Sequence, residues 1–419
     1  MERGVARWDF RGQMRAVLSI GLMLALIVAP AIAQGSSAEQ RQQALALEQQ
    51  GKIPEAEAAW RAYLKTHPGS PEPYAQLGVL EARQGHYKEA IPLYRKALAM
   101  KPDVPGLRLN LGLALFKDGQ LKESIPEFEE LLKHVQAGSP EAQRLNILIG
   151  MAHYGVAQYP QAVPYLKTAA ANDASNLPLR LTLAQSCLWS RQYQCVMDVY
   201  REILNLNAES AEADMLAGEA LDEMKDNAGS TKMFRAAVAA NPKEPNAHFG
   251  LGYLLWTQKQ YPEAATQFQA ELANDPSHAQ SMLYLGDTEL QLNKPDDARP
   301  WLEKAVKQEP SLWLGDLDLG IIDSDAGHNE DALRELEIAE KLQPTDVNVH
   351  WRLARLYRVM GRKDEAKAEF DKASTLNKQA DESLYQKIAN GRNRPPSNVQ
   401  TEAPGATATP AAPSPQPNQ

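Results

Sequence analysis

"GHYKEAIPLYRKALAMKP", residues 85–102, returns in altered wording as "KQYPEAATQFQAELANDP", residues 259–276. The first copy opens on a glycine, keeps Ala90, Tyr94 and Ala97 on one helical face, and closes at Pro102. The copies lie 174 residues apart, five times 34 plus 4, and that period organises almost the whole chain.

With the opening stretch at positions 15–32 of a 34-residue unit, units begin at 37, 71, 105, 143, 177, 211, 245, 279, 313 and 347. They abut except for four inserted residues, Ser139 to Ala142. Position 8 is Gly or Ala in all ten units, for example Gly78, Gly112, Gly252 and Gly320. Position 24 is large and apolar in all ten, as in Trp60, Tyr94, Phe128, Phe234 and Phe268. Position 20 is Ala or Ser everywhere except Val196. Two apolar stripes at helical spacing, positions 4, 7, 8, 11 and positions 17, 20, 24, 27, predict a pair of helices per unit. Small residues mark where the two backbones approach, and position 24 fills the space beside them. Gly51, Gly85, Gly119, Gly327 and Gly361 fall at the turn. Proline at position 32, in six units, stops the second helix. Pro92, Pro126, Pro164 and Pro300, all at position 22, are expected early in the second helix, where a missing N–H costs little.

This pattern, carried most fully by "YAQLGVLEARQGHYKEAIPLYRKALAMKP", resembles the tetratricopeptide repeat over residues 37–380. The resemblance implies an all-α, right-handed superhelical solenoid of about ten helix-turn-helix repeats with a concave inner face. Departures are local: Arg191 at the turn and Val196 at position 20 in unit 5, Asn227 in unit 6, Pro295 in unit 8.

In that family, positions 2, 5, 9, 12 and 13 of the first helix line the concave face. Position 5 is here Leu109, Ile147, Leu181, Met215, Phe249, Leu283, Leu317 and Trp351 in eight successive units. Leu113, Phe116, Met151, Tyr154, Leu188, Tyr253 and Trp256 add to it, with Trp189 at position 13 and Tyr284 at position 6. The Lys and Asn by which some relatives clamp a terminal carboxylate are missing from positions 5 and 9. One reading is an apolar, aromatic-lined trough for a partner segment. The other is that position 5 simply packs adjacent first helices together. Arg352, Arg355 and Arg358 form a basic ridge in unit 10, facing Asp287 and Asp318 of earlier units, either to hold an acidic end of a ligand or as a solvated face.

Composition agrees with an all-α chain: 43% hydrophobic but only 7% aromatic, with no alternating β-branched run. Residues 1–33 have the layout of a signal peptide: Arg3, Arg7, Arg11 and Arg15, an apolar run from Ala16 to Ala29, then Ala31-Ile32-Ala33. An uncleaved anchor is the alternative, and only it would bring membrane contact. The expected location is therefore periplasmic or secreted. Without those residues the net charge moves from −9 to −11, which argues against a nucleic-acid surface. Repeats 1–3 occupy residues 34–138 and repeats 4–10 residues 139–380, with Ser139-Pro140 predicted to start a helix one turn early. Residues 381–390 are expected to form a separate capping helix, with Leu384 and Ile388 on the last hairpin. Residues 391–419, with seven prolines, are expected to be a disordered tail.

Catalytic constellations are not found. There is no P-loop, G-x-S-x-G elbow or H-E-x-x-H. "DSDAGHNED", residues 323–331, misplaces the glycine of a calcium loop and carries Arg334 where a bidentate Glu belongs. No metal or cofactor is expected. Cys187 and Cys195 lie on opposite arms of one hairpin; they are placed to bridge in an oxidising compartment, although position 19 ordinarily faces solvent. The leading expectation is a non-catalytic scaffold of the cell envelope that binds a protein or peptide segment. The alternatives are a scaffold for polysaccharide or pilin export, or a repeat region assisting a separate glycosyltransferase.

Overall fold

In a computed structural model of the protein, the described residues are 36–103, 105–173, 175–206 and 209–392, with backbone alone described at 105 and 384–392. The leader-like segment 1–33 and residues 393–419 lie outside them. Among the described residues there are helices and no strands. Two compact units divide between Leu107 and Arg108.

Each sequence unit is one hairpin of two antiparallel helices. The first compact unit holds α1 (Ser37–Gln49) with α2 (Ile53–Thr66) and α3 (Pro71–Arg83) with α4 (Tyr87–Met100). Its core joins Ala44, Ala56, Trp60, Tyr63, Leu77 and Leu80. Helix α5 (Pro105–Lys117) crosses the boundary and pairs with α6 (Leu121–Leu132). The second unit continues with α7 (Pro140–Gly155), α8 (Tyr159–Asn172), α9 (Leu177–Trp189), α10 (Tyr193–Asn205), α11 (Ala211–Glu223) and α12 (Asn227–Ala240). It ends with α13 (Ala247–Thr257), α14 (Tyr261–Asn274), α15 (Ala279–Gln291), α16 (Pro295–Gln308), α17 (Trp313–Asp325), α18 (Asn329–Leu342), α19 (Val347–Val359) and α20 (Lys363–Arg392).

The small residues do what their spacing predicts. An ideal Cβ on Gly78, at position 8, would stand 2.7 Å from the Tyr94 ring of the same hairpin. The same holds for Gly112 against Phe128 at 2.6 Å and Gly252 against Phe268 at 2.7 Å. Position 24 thus nests in the hollow where position 8 has no side chain. It also reaches the next hairpin: the Phe268 ring stacks on Tyr284 with centroids 5.9 Å apart. Position 20 is buried throughout, from Ala56 at 0% exposed to Ala366 at 5%. Ser230, one of its two serines, donates to the Gly218 carbonyl at 2.8 Å and so bonds α12 to α11.

Every turn uses the left-handed region at position 15. Gly85 has φ +79°, and the five non-glycines Ala157, Arg191, Lys225, Lys259 and Asn293 adopt φ between 57° and 65°. The amide that follows bonds six-to-one, His86 N to Glu81 O at 3.0 Å and Gln260 N to Leu255 O at 2.8 Å. The requirement belongs to the turn itself, whichever residue occupies it.

Two expectations are corrected. Pro92, Pro126, Pro164 and Pro300 sit inside their helices, at the sixth residue, past the free N–H groups of the first turn. They are tolerated because each is exposed, where water reaches the carbonyl left without its partner. The proposed capping helix is not a separate element, since α20 runs unbroken for 30 residues. The side chains of Leu384 and Ile388 lie outside the described residues. One capping device was missed altogether: Glu271, at the apolar position 27 and 2% exposed, accepts from Asn246 N at 3.0 Å and Phe249 N at 3.1 Å. It caps α13 from a neighbouring helix, because Asn246 at φ +66° offers no side-chain cap. The insertion behaves as predicted, with α7 starting at Pro140 behind a Ser139 cap that accepts from Ala142 N at 3.1 Å.

Lys259→Gly should stabilise the protein by about 0.5–1 kcal/mol by relieving a left-handed side chain. Gly327→Ala should cost about 1 kcal/mol although nothing lies within 4 Å of its Cβ site. Gly252→Ala should cost about 1–3 kcal/mol by driving the Phe268 ring from its hollow. Urea unfolding followed by circular dichroism checks all three signs.

Candidate partner-binding face

The first helices of successive hairpins stand side by side in the second unit, and the sequence-predicted trough residues fall along them. Leu109, Leu113 and Phe116 on α5 are partly buried against a core that holds Phe128 and Leu145. Ile147, Met151, Tyr154, Leu181 and Trp189 ring the next core, with Tyr154 stacked on Trp189 at 5.8 Å. Tyr159 joins them at 4.4 Å from Trp189; it opens the second helix α8, where the repeat pattern places no trough residue.

The trough is less apolar than the sequence suggests. Phe249 is 6% exposed, Leu283 4%, Leu317 5%, Leu188 7% and Tyr284 9%. Phe249 and Tyr284 therefore back the surface and are not available to a partner. Position 5 of one first helix packs on its neighbour: Phe249 lies 6.0 Å from the Tyr284 ring, and a Cβ on Gly315 would meet Leu283 at 3.3 Å. Tyr253 and Trp256 remain half-buried and stacked at 5.9 Å, and Trp351 is 43% exposed.

A polar relation recurs between neighbouring first helices. The Trp256 Nε1 donates to Asp287, and the Tyr154 hydroxyl donates to Gln185. In both, an aromatic at position 12 meets an acceptor at position 9 of the next unit. Asp287 is 3% exposed and accepts further only from Gln291 Nε2, at 3.3 Å. Burial pushes its carboxyl up, against the pull of those donors. Asp318 beside it is also 3% exposed, and its Oδ2 has no hydrogen-bond partner. Burial, then the Asp287 charge, raises Asp318 well above the ordinary aspartate range, with Arg352 opposing. Arg352 makes no ion pair with it, and neither do Arg355 and Arg358 with any carboxylate among the described residues. Two of these guanidiniums flank Trp351 instead, Arg355 at 4.8 Å and Arg352 at 5.8 Å from the ring centroid.

Two other clusters have structural employment. Glu340, His350 and Glu369 bring possible ligand atoms within 4.8 Å of one another. The Lys372 ammonium already bridges the two carboxylates at 2.9 and 2.7 Å, and His350 Nε2 donates to Pro344 O at 2.9 Å. This group ties α18, α19 and α20 together. Cys187 and Cys195 are joined as a disulfide across the α9–α10 turn, with Cα atoms 5.8 Å apart.

Stacked antiparallel hairpins, each with a small residue nested under a large one and a left-handed turn, define a helical-repeat solenoid. Tetratricopeptide repeat models match residues 41–105, 81–146, 215–279, 254–312 and 317–381, and the chain belongs to the tetratricopeptide repeat family. The unmatched stretch, 147–214, holds the hairpins just after the insertion, which fold as hairpins nonetheless. Among curated proteins none matches. Of solved structures, MamA is similar at 18% identity and TM-score 0.36, covering 39% of this chain and 96% of its own. YrrB, a TPR protein with an unusual peptide-binding site, is similar at 18% identity and TM-score 0.37, covering 45% of this chain and 97% of its own. Cut9–Hcn1 of the APC/C is similar at 13% identity and TM-score 0.40, covering 82% and 88%.

Because Asp318 is raised in the folded protein, it binds a proton there that the unfolded chain releases. That stability is present below the unfolded value and is lost as pH rises towards the folded one. Asp318→Asn should therefore stabilise the protein at pH about 8 by about 1–3 kcal/mol and change little at pH about 4. Thermal melts at the two pH values check it.

Proposed function

We propose that this protein is a non-catalytic scaffold that holds a segment of a partner protein along the first helices of its second unit. Tyr253 and Trp256 carry the reading. They are, with Tyr154 and Trp189, one of two places on that surface where stacked aromatic rings stay half-open to solvent, and the one whose indole donor is fixed by Asp287. Membership of a repeat family whose hairpins serve protein recognition supports it. The buried histidines support a non-catalytic role: His248 is held by Gln267 at 2.7 Å, and His350 by Glu369 and Pro344.

The proposed place of work is the cell envelope. The basic and apolar start ending in Ala31-Ile32-Ala33 and the Cys187–Cys195 bridge support export into an oxidising compartment. N-terminal sequencing of protein from the native host should give Gln34 as the first residue; an intact Met1 on membrane-bound protein would replace export with anchoring.

Crosslinking in the native host, followed by mass spectrometry, should capture a partner. Tyr253→Ala with Trp256→Ala should abolish that crosslink while circular dichroism stays helical. Undiminished capture by the folded double variant would remove the partner from this face.

A further inference from the structure

The first helices α11, α13, α15 and α17 contain eleven Asp and Glu residues and no Lys or Arg. Helix α19 reverses this, with Arg352, Arg355 and Arg358 and no carboxylate. General acidity does not explain the pattern, because the intervening second helix α16 mixes Arg299, Lys304 and Lys307 with its acids. Six of the eleven are engaged inside their own stretch of fold. Asp214 accepts from Tyr200 at 2.6 Å, Glu223 from Tyr193 at 3.3 Å and Asp287 from Trp256, Glu289 pairs with Lys294 at 3.0 Å, Asp323 pairs with Arg299 at 2.6 Å, and Asp316 lies against the Glu335 carboxyl. The other five make no ion pair among the described residues.

Like charges gathered on one face without a counter-charge oppose one another. Burial, then Glu244, raises Glu212, and burial raises Asp222 with Glu223 adding to it, against the pull of Lys225 in the following turn. Glu219, which is exposed by area but surrounded by protein with Asp222 and Glu223 beside it, is pushed up to about 7. Independently, Asp318 is 3% exposed with an oxygen that no donor meets, next to the equally buried Asp287. Buried carboxylates ordinarily come with a cation or a full set of donors. Asp318 has no paired cation and leaves one oxygen without a donor.

We propose that the face made by α11, α13, α15 and α17 docks a lysine- and arginine-rich segment of the partner protein. Its cationic side chains meet Glu219, Asp222 and Glu223 at the accessible part of that face, the buried Asp287 and Asp318 behind Trp256 add to the negative field, and an acidic residue of the same segment meets Arg355 and Arg358. This rests on the scaffold reading and adds the partner's chemistry to it. Trp256 and Tyr253 offer ring faces that favour a cation over a neutral side chain. The complementary charges set register and direction, basic residues over α11–α17 and acid at α19.

Fluorescence anisotropy on the purified full chain tests it with three labelled peptides. They share serines and leucines and differ only in whether the remaining positions are lysine, glutamine or glutamate. The lysine peptide should bind about tenfold more tightly than the glutamine one, with the glutamate peptide weakest, and should weaken as salt rises from about 50 to about 300 mM. Glu219→Gln with Asp222→Asn and Glu223→Gln, the more accessible set, should cost about tenfold for the lysine peptide alone. Asp287→Asn with Asp318→Asn, acting through the field from behind Trp256, should cost that peptide about threefold. Neutralising Asp296, Asp297 and Glu330, exposed on second helices, should change affinity by less than about twofold. An equal loss from that control set overturns the inference. A glutamine peptide that binds as tightly as the lysine one, and loses binding with Tyr253→Ala and Trp256→Ala, overturns it while leaving the scaffold reading intact. No binding by any of the three overturns both.

Discussion

The contact on which the hairpins depend is a ring or branched side chain at position 24 lying where position 8 has no Cβ. In Gly112 against Phe128 and Gly286 against Leu302 the added atom would come within 2.6 Å. That separation is below any ordinary carbon contact, so each hairpin closes only if one partner is small. Because the large side chain also reaches the following hairpin, one residue sets both the spacing within a repeat and the seat of the next. Units 1, 5 and 10 carry Ala44, Ala184 and Ala354 at position 8; Tyr200 and Phe370 are there only partly buried, while Trp60 is fully buried, so alanine is also small enough for the contact.

The second constraint is the turn. Ten consecutive hairpins place a left-handed residue at the same position, five of them without glycine. A side chain there costs about 1–2 kcal/mol. Its persistence in five copies shows that the six-to-one bond and the packing on either side outweigh local preference. The solenoid is held by geometry repeated at each turn more than by the propensity of any one residue.

Against that economy of packing, the first-helix face of the second unit is expensive. Asp287 and Asp318 are buried and raised, and one Asp318 oxygen has no donor, where leucine would pack. The first helices α11, α13, α15 and α17 carry no Lys or Arg, and Arg352 and Arg355 of α19 lie against Trp351 without a carboxylate. Folding alone gives no reason for such a face. Recognition of a cationic segment does, and stability given up at a binding surface is the usual form of that exchange.

The 34-residue period, the small and large pair, the turn glycines and the Ser139-Pro140 helix start were all legible in the chain, because each is a local rule repeated at fixed spacing. The absence of Lys and Arg from four successive first helices is equally legible, but it has no fixed position within the repeat and so leaves no periodic mark. What the sequence left open was depth. Phe249 and Trp256 are both large aromatics on one helix, yet packing onto α15 buries the first to 6% exposure and leaves the second half-open. Likewise only the assembled helices show that Glu271, at an apolar position, caps α13, and that Asp318 finds no donor. Periodicity says which face a residue is on; whether it is surface, seam or core depends on how closely the neighbouring helix approaches, which is decided by side chains a whole repeat away.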